Sequence, residues 1–169
     1  MLPYKEIPDS PNNCTPSSII ARLIDGLGYR FYWATKDLRN IDLAYRPSPE
    51  AKSSFETMEH LFGLSETILN VAQNKPNVRP YRKLELDFES MRTQTLRNLK
   101  EASIEFESIE NLDNHPVVFQ IKETEKTYSF WHLINGQISD SIYHVGQVVS
   151  FRRTTGNPID SKVNVFLGK

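Results

Sequence analysis

The sequence predicts an all-α fold, a four-helix bundle in a single domain. Apolar residues recur at helical spacing in four segments, turn signals separate these segments, and the length of 169 residues suits one core. The composition, 38% hydrophobic and 24% charged, is that of an ordinary globular domain. Helices that each have one apolar face bury those faces best by packing together. The four predicted helices cover about 15–36, 55–72, 84–109 and 129–155.

The start of the chain and the first helix have clear signals. Residues 1–14 are rich in proline and asparagine and predict an extended arm. Thr15 suits a helix N-cap, and Pro16 suits the first helical position. We therefore expect the first helix to begin here.

A capping-box pattern marks the second helix. A polar, proline-containing loop over 39–52 precedes it. Ser53 is followed three residues later by Glu56, the spacing at which the two residues cap each other reciprocally. The apolar residues that follow continue to about residue 72.

The second half of the chain predicts two helices and a small β element between them. Phe88 to Ile109 carry apolar residues on one face and charges on the other. Residues 117–121 and 127–130 predict a short β-hairpin before the last helix. That helix is apolar around most of its circumference, which is typical of a central buried helix. Gly156 follows its end, and an extended C-terminal tail completes the chain.

Asp140 is the unusual residue of the last helix. It is the only formally charged side chain between residues 129 and 151. A carboxylate in apolar surroundings requires a proton, a partner or a cation, because desolvation penalises its charge. His144 follows four residues later and projects from the same face. The pair predicts two adjacent metal ligands, with Tyr143 and Gln147 as candidate catalytic or substrate-contacting residues.

A metal-free interpretation stays open for this pair. Asp140 can instead be hydrogen-bonded to His144, Arg30 or Tyr32, and the D-x-x-x-H spacing is common by chance. His60 strengthens the metal hypothesis, since it lies in the second helix away from the main apolar stripe. Metal sites in bundles are built from inward side chains on facing helices. The commoner role of a lone histidine is nevertheless a hydrogen-bonded structural one.

Several segments resemble motifs of the DinB-like superfamily. Residues 140–147, DSIYHVGQ, are similar to the last-helix motif of that family, usually written H-x-x-x-H-R-G-Q. Residues 51–61, AKSSFETMEHL, resemble the entry to its second helix, where a ligand histidine is followed by leucine. Residues 42–48 and 131–158 are also similar to family elements. The resemblance covers nearly the whole chain.

This resemblance implies a DinB-like four-helix bundle that holds a metal through one histidine of the second helix and two residues of the last. By position these are His60, Asp140 and His144. The family pattern has histidine in place of Asp140 and commonly arginine in place of Val145. Two histidines and a carboxylate suit a divalent ion, and Zn²⁺, Ni²⁺, Fe²⁺ and Mn²⁺ all stay open.

Two functions follow as expectations. The first is a metal-dependent enzyme acting on a small-molecule substrate. By resemblance it is a transferase that uses a metal-bound low-molecular-weight thiol, or a hydrolase that uses metal-bound water. The second is a catalytically inactive protein that binds a small ligand or acts as a stress-associated scaffold. Relatives often pair through helices, so a homodimer is expected.

Composition argues against several other classes. The net charge of −1 offers no basic field for nucleic acid or an acidic membrane surface. No segment reaches the roughly 20 apolar residues that a membrane-spanning helix needs. The single cysteine, Cys14, excludes an intrachain disulfide and a cysteine-rich zinc site. The first residues lack a secretory signal pattern, so we expect a cytoplasmic protein.

Overall fold

The computed structural model describes residues 1–80 and 85–169. The chain is mostly helical, and four long helices provide most of its core: α1 (Pro16–Thr35), α3 (Ser54–Ala72), α4 (Phe88–Glu107) and α6 (Ser139–Thr154). Short helical pieces complete the framework: α2 (Asn40–Ala44), a 3₁₀ turn (Leu112–Asn114), α5 (Trp131–Leu133) and a π-helical segment (Ile134–Ile138) that leads into α6. Within the described residues, no helix combines the length and apolar character needed to cross a membrane.

The predicted starts of α1 and α3 are confirmed. Thr15 Oγ1 accepts a hydrogen bond from the backbone N–H of Ser18 at 3.1 Å, and Ser18 Oγ accepts one from the backbone N–H of Thr15 at 2.8 Å. Ser53 and Glu56 make the same reciprocal pair, with distances of 3.2 and 2.6 Å. Each pair satisfies backbone donors that the first turn of a helix leaves without partners.

The third long helix begins later than predicted. Its first residue is Phe88, because the carboxylate of Asp87 caps the helix by accepting from the backbone N–H of Ser90 at 2.7 Å. The predicted start at Leu84 lies outside the described residues.

Helix α4, rather than the last helix, lies at the centre of the packing. It contacts both α1 and α3 extensively, whereas α6 contacts the same two helices over a smaller surface. The prediction that the last helix is the central buried one is therefore wrong. Ile142, one of the apolar residues of this helix, is exposed. The charges of α4 lie on its outer face, except for buried Arg92, which donates to Thr35 of α1 at 2.9 Å. The opposite face presents apolar residues to both neighbours: Met91, Leu96, Leu99, Ala102 and Phe106.

A hairpin is present where predicted and belongs to a three-stranded sheet, but its second strand covers 124–128 instead of the predicted 127–130, because a two-residue turn at 122–123 already reverses the chain. Strand β2 (Val117–Ile121) pairs antiparallel with β3 (Thr124–Tyr128), with Val117 opposite Tyr128. Strand β1 (Asn77–Arg79) pairs parallel with β2, so the strand order is β1–β2–β3. The sheet is a small addition to a helical framework.

A buried carboxylate fixes α2, which the sequence predicted as loop. Asp42 is fully buried and accepts from Nε and Nη2 of Arg39 at 2.9 and 2.8 Å. The hydroxyl of Thr155 and the amide of Asn157 donate to it at 2.5 and 2.7 Å. The Arg39 guanidinium holds the pKa of the Asp42 carboxyl well below its usual range, and the hydroxyl and amide donors add to this effect while burial opposes it.

A buried guanidinium caps the end of α1. Nη1 of Arg152 donates to the carbonyl oxygens of Trp33, Ala34 and Lys36 at 2.9, 3.0 and 3.0 Å. Its Nε donates to the carbonyl of Asn157 at 2.5 Å. A cation at a helix C-terminus satisfies unpaired carbonyls and interacts favourably with the helix dipole. Arg152 thus ties α6 to α1.

The N-terminal arm and the C-terminal tail lack regular secondary structure and dock on α1. The hydroxyl of buried Tyr4 donates to Asp25 Oδ1 at 2.9 Å, and burial raises its pKa far above the usual range. The Tyr4 ring lies so close to Gly28 that a Cβ there would come within 2.4 Å of it. The backbone N–H of Ile7 donates to the carbonyl of Gly168 at 2.9 Å, which joins arm and tail.

Replacing Asp42 with Asn should destabilise the protein by roughly 2–3 kcal/mol near neutral pH, because buried donors lose a charged acceptor. The folded-state pKa is depressed, so this stabilisation exists above the unfolded-state pKa of about 4 and is lost as pH falls below it. Urea unfolding at pH 7 and pH 3 should show a difference between wild type and variant that shrinks at low pH. The exposed control Asp113→Asn should leave the free energy of unfolding unchanged at both pH values. A loss of stability in Asp42→Asn that is equally large at pH 7 and pH 3 would contradict the depressed pKa of Asp42.

Candidate metal centre

Asp140 lies between two histidines on different helices. His60, in the middle of α3, places its Nε2 3.0 Å from Asp140 Oδ2. His144, one turn further along α6, places its Nε2 3.3 Å from Asp140 Oδ1. The two imidazole rings meet edge to face, with centroids 4.7 Å apart. The three side chains that the sequence singled out therefore converge.

The packing of α3 against α6 sets this convergence. Met58 and Leu61 are buried on either side of His60, which holds that histidine at the margin of the helix interface. Val145 and Val148 are buried on α6 and leave the flank with Asp140 and His144 facing α3. The core contacts of both helices thus bring His60 of α3 close to Asp140 and His144 of α6.

The site lies near the protein surface. The side chains of His60 and Asp140 keep 35% and 41% of their surface exposed, and His144 keeps 16%. The expectation of a desolvated carboxylate in an apolar helix is therefore wrong. Its physical reason is the narrow contact of α6 with its neighbours, which leaves part of its polar flank in solvent. Partial exposure gives a small molecule direct access to the three side chains.

Gln147 orients the ring of His144. His144 Nδ1 lies 2.7 Å from the Oε1 atom of Gln147. An amide oxygen only accepts hydrogen bonds, so Nδ1 carries a proton in this arrangement. When Nδ1 carries the only ring proton, the lone pair of Nε2 is directed towards the Asp140 carboxylate. That contact is favourable only with a proton or a metal cation between the two atoms.

Tyr143, the other candidate catalytic residue, flanks the site. Its ring packs edge-on to His144 with centroids 5.3 Å apart, and the residue is exposed. Of the metal-free partners considered for Asp140, His144 lies 3.3 Å from its carboxylate, whereas Arg30 and Tyr32 make other contacts. Arg30 donates to the carbonyl of Gly26, and Tyr32 lies under the guanidinium of Arg92.

A cavity of about 480 Å³ opens beside His60, between α3 and the π-helical segment. Its described lining includes Lys52, Glu59 and Gln137. The Oε1 atom of Gln137 is buried without a hydrogen-bond partner among the described residues. Sequence reasoning missed Gln137, because nothing in the local pattern signals a π-helical turn, which is often found at functional sites.

The two remaining histidines lie outside the cluster. His115 Nδ1 is 3.0 Å from the carbonyl of Val71, and exposed His132 lies beside Ser129. In the part of the chain that the structure describes, the grouping with metal-ligand geometry consists of His60, Asp140 and His144.

Comparisons of the chain with protein-family models, with curated proteins and with solved structures gave no significant match.

The His144–Gln147 contact predicts the tautomer of His144. Imidazole ¹⁵N spectra of metal-free protein should show a protonated Nδ1 for His144, and Gln147→Leu should shift that ring towards the Nε2–H form. His115 is an internal control, because its Nδ1 also faces an acceptor and Gln147 does not touch it. An unchanged His144 spectrum in the variant would contradict the orienting role of Gln147.

Proposed function

We propose that this chain is a metal-dependent enzyme whose divalent ion is held by His60, Asp140 and His144. One observation carries the proposal. The three side chains offer ligand atoms that all lie within 4.8 Å of one another, although His60 and Asp140 are 80 residues apart in the sequence. Such convergence of two imidazoles and a carboxylate on one point is typical of a metal centre.

The donor set and its surroundings support a metal. Ligand atoms at ordinary distances from a tetrahedral Zn²⁺ are separated by about 3.4 Å. The Asp140 contacts of 3.0 and 3.3 Å are close to that value. Ligand histidines usually donate their other N–H to an acceptor, and Gln147 provides one for His144. Two histidines and one carboxylate suit Zn²⁺ or Fe²⁺, and Ni²⁺ and Mn²⁺ stay open.

A divalent ion held here would supply Lewis acidity and lower the pKa of a bound water or thiol. The chain's own groups position the reactants. The volume of the cavity beside His60 is large enough for a small-molecule substrate. Exposed Tyr143 lies where it can contact a substrate on the solvent side of His144. The proposed reaction is transfer involving a low-molecular-weight thiol, or hydrolysis.

We also propose that the four long helices form a DinB-like bundle. One feature supports this: the three candidate ligands come from the helices that the resemblance implies, the second and the last of the four long ones. Pairing of two such chains as a homodimer belongs to the same proposal.

A second candidate function is a catalytically inactive, small-ligand-binding or scaffold protein. The observation that favours it is the length of the contacts within the cluster. The His60 contact of 3.0 Å is also that of a hydrogen bond and the His144 contact of 3.3 Å that of an ion pair, so protonated histidines would satisfy Asp140 without a metal.

Metal titration distinguishes the two candidates. Isothermal titration of metal-stripped, tag-free protein with Zn²⁺ and Mn²⁺ should give one site per chain. His60→Ala and His144→Ala should each weaken it roughly 100-fold or more, because each removes a direct ligand. Exposed His132 gives the matched control, since His132→Ala should bind like wild type. Wild-type affinity in all three variants, with unchanged circular dichroism, would rule out the proposed site.

Thermal unfolding tests Asp140 separately. An ion present at about 100 times its Kd stabilises the folded state by roughly 2.7 kcal/mol, so Tm should rise in wild type and fall again on adding a chelator. Asp140→Ala should lose this response. Asp140→His should retain it, because the third ligand is restored. A wild-type Tm that neither metal nor chelator shifts would favour the inactive ligand-binding protein.

A further inference from the structure

A second concavity lies on the side of α6 that faces away from the metal centre. Successive helix residues are rotated by about 100°, so Ile142, Val145 and Val149 project roughly opposite to Asp140 and His144. These three apolar residues line a cavity of about 650 Å³ between α1, α6 and the C-terminal tail. Small-molecule sites in proteins commonly have volumes of this order.

The cavity continues along α1 into a neighbouring one of about 460 Å³. The two share Arg30, Ile142 and Val165 and together form one groove. Its walls are mostly aliphatic, with half-buried Trp33 near one end. Gly146 forms part of the floor of the groove. A Cβ added there would meet no atom within 4 Å, so the space above this residue is free.

Apolar surface stays uncovered along this groove. Ile19 and Leu23 of α1 are exposed in the smaller half of the groove. Phe166 in the tail is 92% exposed. Adjoining apolar side chains that remain in solvent on a folded protein usually mark a binding surface.

The groove also carries a net positive charge, although Arg30 and Arg22 donate to the backbone carbonyls of Gly26 and Pro8. Arg30 and Arg153 line its larger half, and Arg22 lines the smaller one. Among the described residues, none of these arginines forms an ion pair with a carboxylate. The described lining has one carboxylate, Asp160, which accepts from the backbone N–H of Lys162 at 2.9 Å.

We propose that this groove binds an amphipathic anion, an aliphatic chain with a carboxylate head group. The chain would lie along the Val145–Val149 wall, and Arg30 and Arg153 would pair with the head group. A symmetric pairing of two copies through the same face is less favourable, because it would bring the arginine-rich surface of one copy against that of the other. The site is independent of the metal proposal, since none of the three candidate ligands lines it.

Tryptophan fluorescence provides a direct readout. The chain has two tryptophans, so Trp131→Phe leaves Trp33, in the groove, as the reporter. Dodecanoate, added below its micellar concentration, should change this signal saturably with one site per chain. The double variant Arg30→Gln/Arg153→Gln should weaken binding roughly tenfold or more through loss of charge-assisted hydrogen bonds. Gly146→Leu should abolish binding by filling the floor.

Matched controls separate binding in the groove from binding at the metal centre and from nonspecific adsorption of the aliphatic chain. Arg97→Gln removes an exposed cation on α4, outside the groove, and should bind dodecanoate like wild type. His60→Ala should also bind normally, whatever its effect on metal uptake. Uncharged dodecanol should bind at least roughly tenfold more weakly than dodecanoate.

Three results would overturn the proposal. The first is the absence of saturable dodecanoate binding by the folded wild-type chain. The second is equal affinity of wild type and the double arginine variant. The third is sedimentation showing a wild-type dimer that Gly146→Leu dissociates, which would assign the groove to a second copy of the chain.

Discussion

The guanidinium of Arg152 joins the C-terminal ends of α1 and α6, and the position of the last helix depends on it. It donates to three carbonyls at the end of α1 and to Asn157, which in turn donates to buried Asp42. Helix α6 buries only a narrow strip against its neighbours, so this polar junction acts together with buried Val145 and Val148 to fix its rotation about its own axis. A rotation by even one residue, about 100°, would turn Asp140 and His144 away from His60.

The part of the candidate site that the sequence predicts well is the part built from local geometry. The i, i+4 spacing places Asp140 and His144 on one helix face whatever the tertiary structure. The approach of His60 is not local. Its prediction needed the assumption that two facing helices bring their side chains together, and the positional resemblance to a known motif supported that assumption. The half-exposed state of Asp140 could not be predicted, since it reflects how little of α6 its neighbours cover.

The same distinction between local and distant contacts applies to the fold. The N-terminal caps of α1 and α3 are contained within a few residues, so the sequence predicts them correctly. Helix α2 was missed because the local Arg39–Asp42 pair is completed by Thr155 and Asn157, which lie 113 and 115 residues away from Asp42. The central place of α4 was missed because it depends on having neighbours on two sides, which the periodicity of one helix does not reveal.

The π-helical segment has a consequence for chain length. Leu133 and Ile138 are both fully buried and are five residues apart, a spacing that one wide turn brings to the same side. A Cβ added at Gly136, between them, would meet no atom within 4 Å. An extra residue can thus be accommodated in one turn while the strands before it and the carboxylate after it keep their own contacts. Chains that differ by a single insertion at this point would therefore superimpose on both sides of it, and an alignment gap there need not imply a different site.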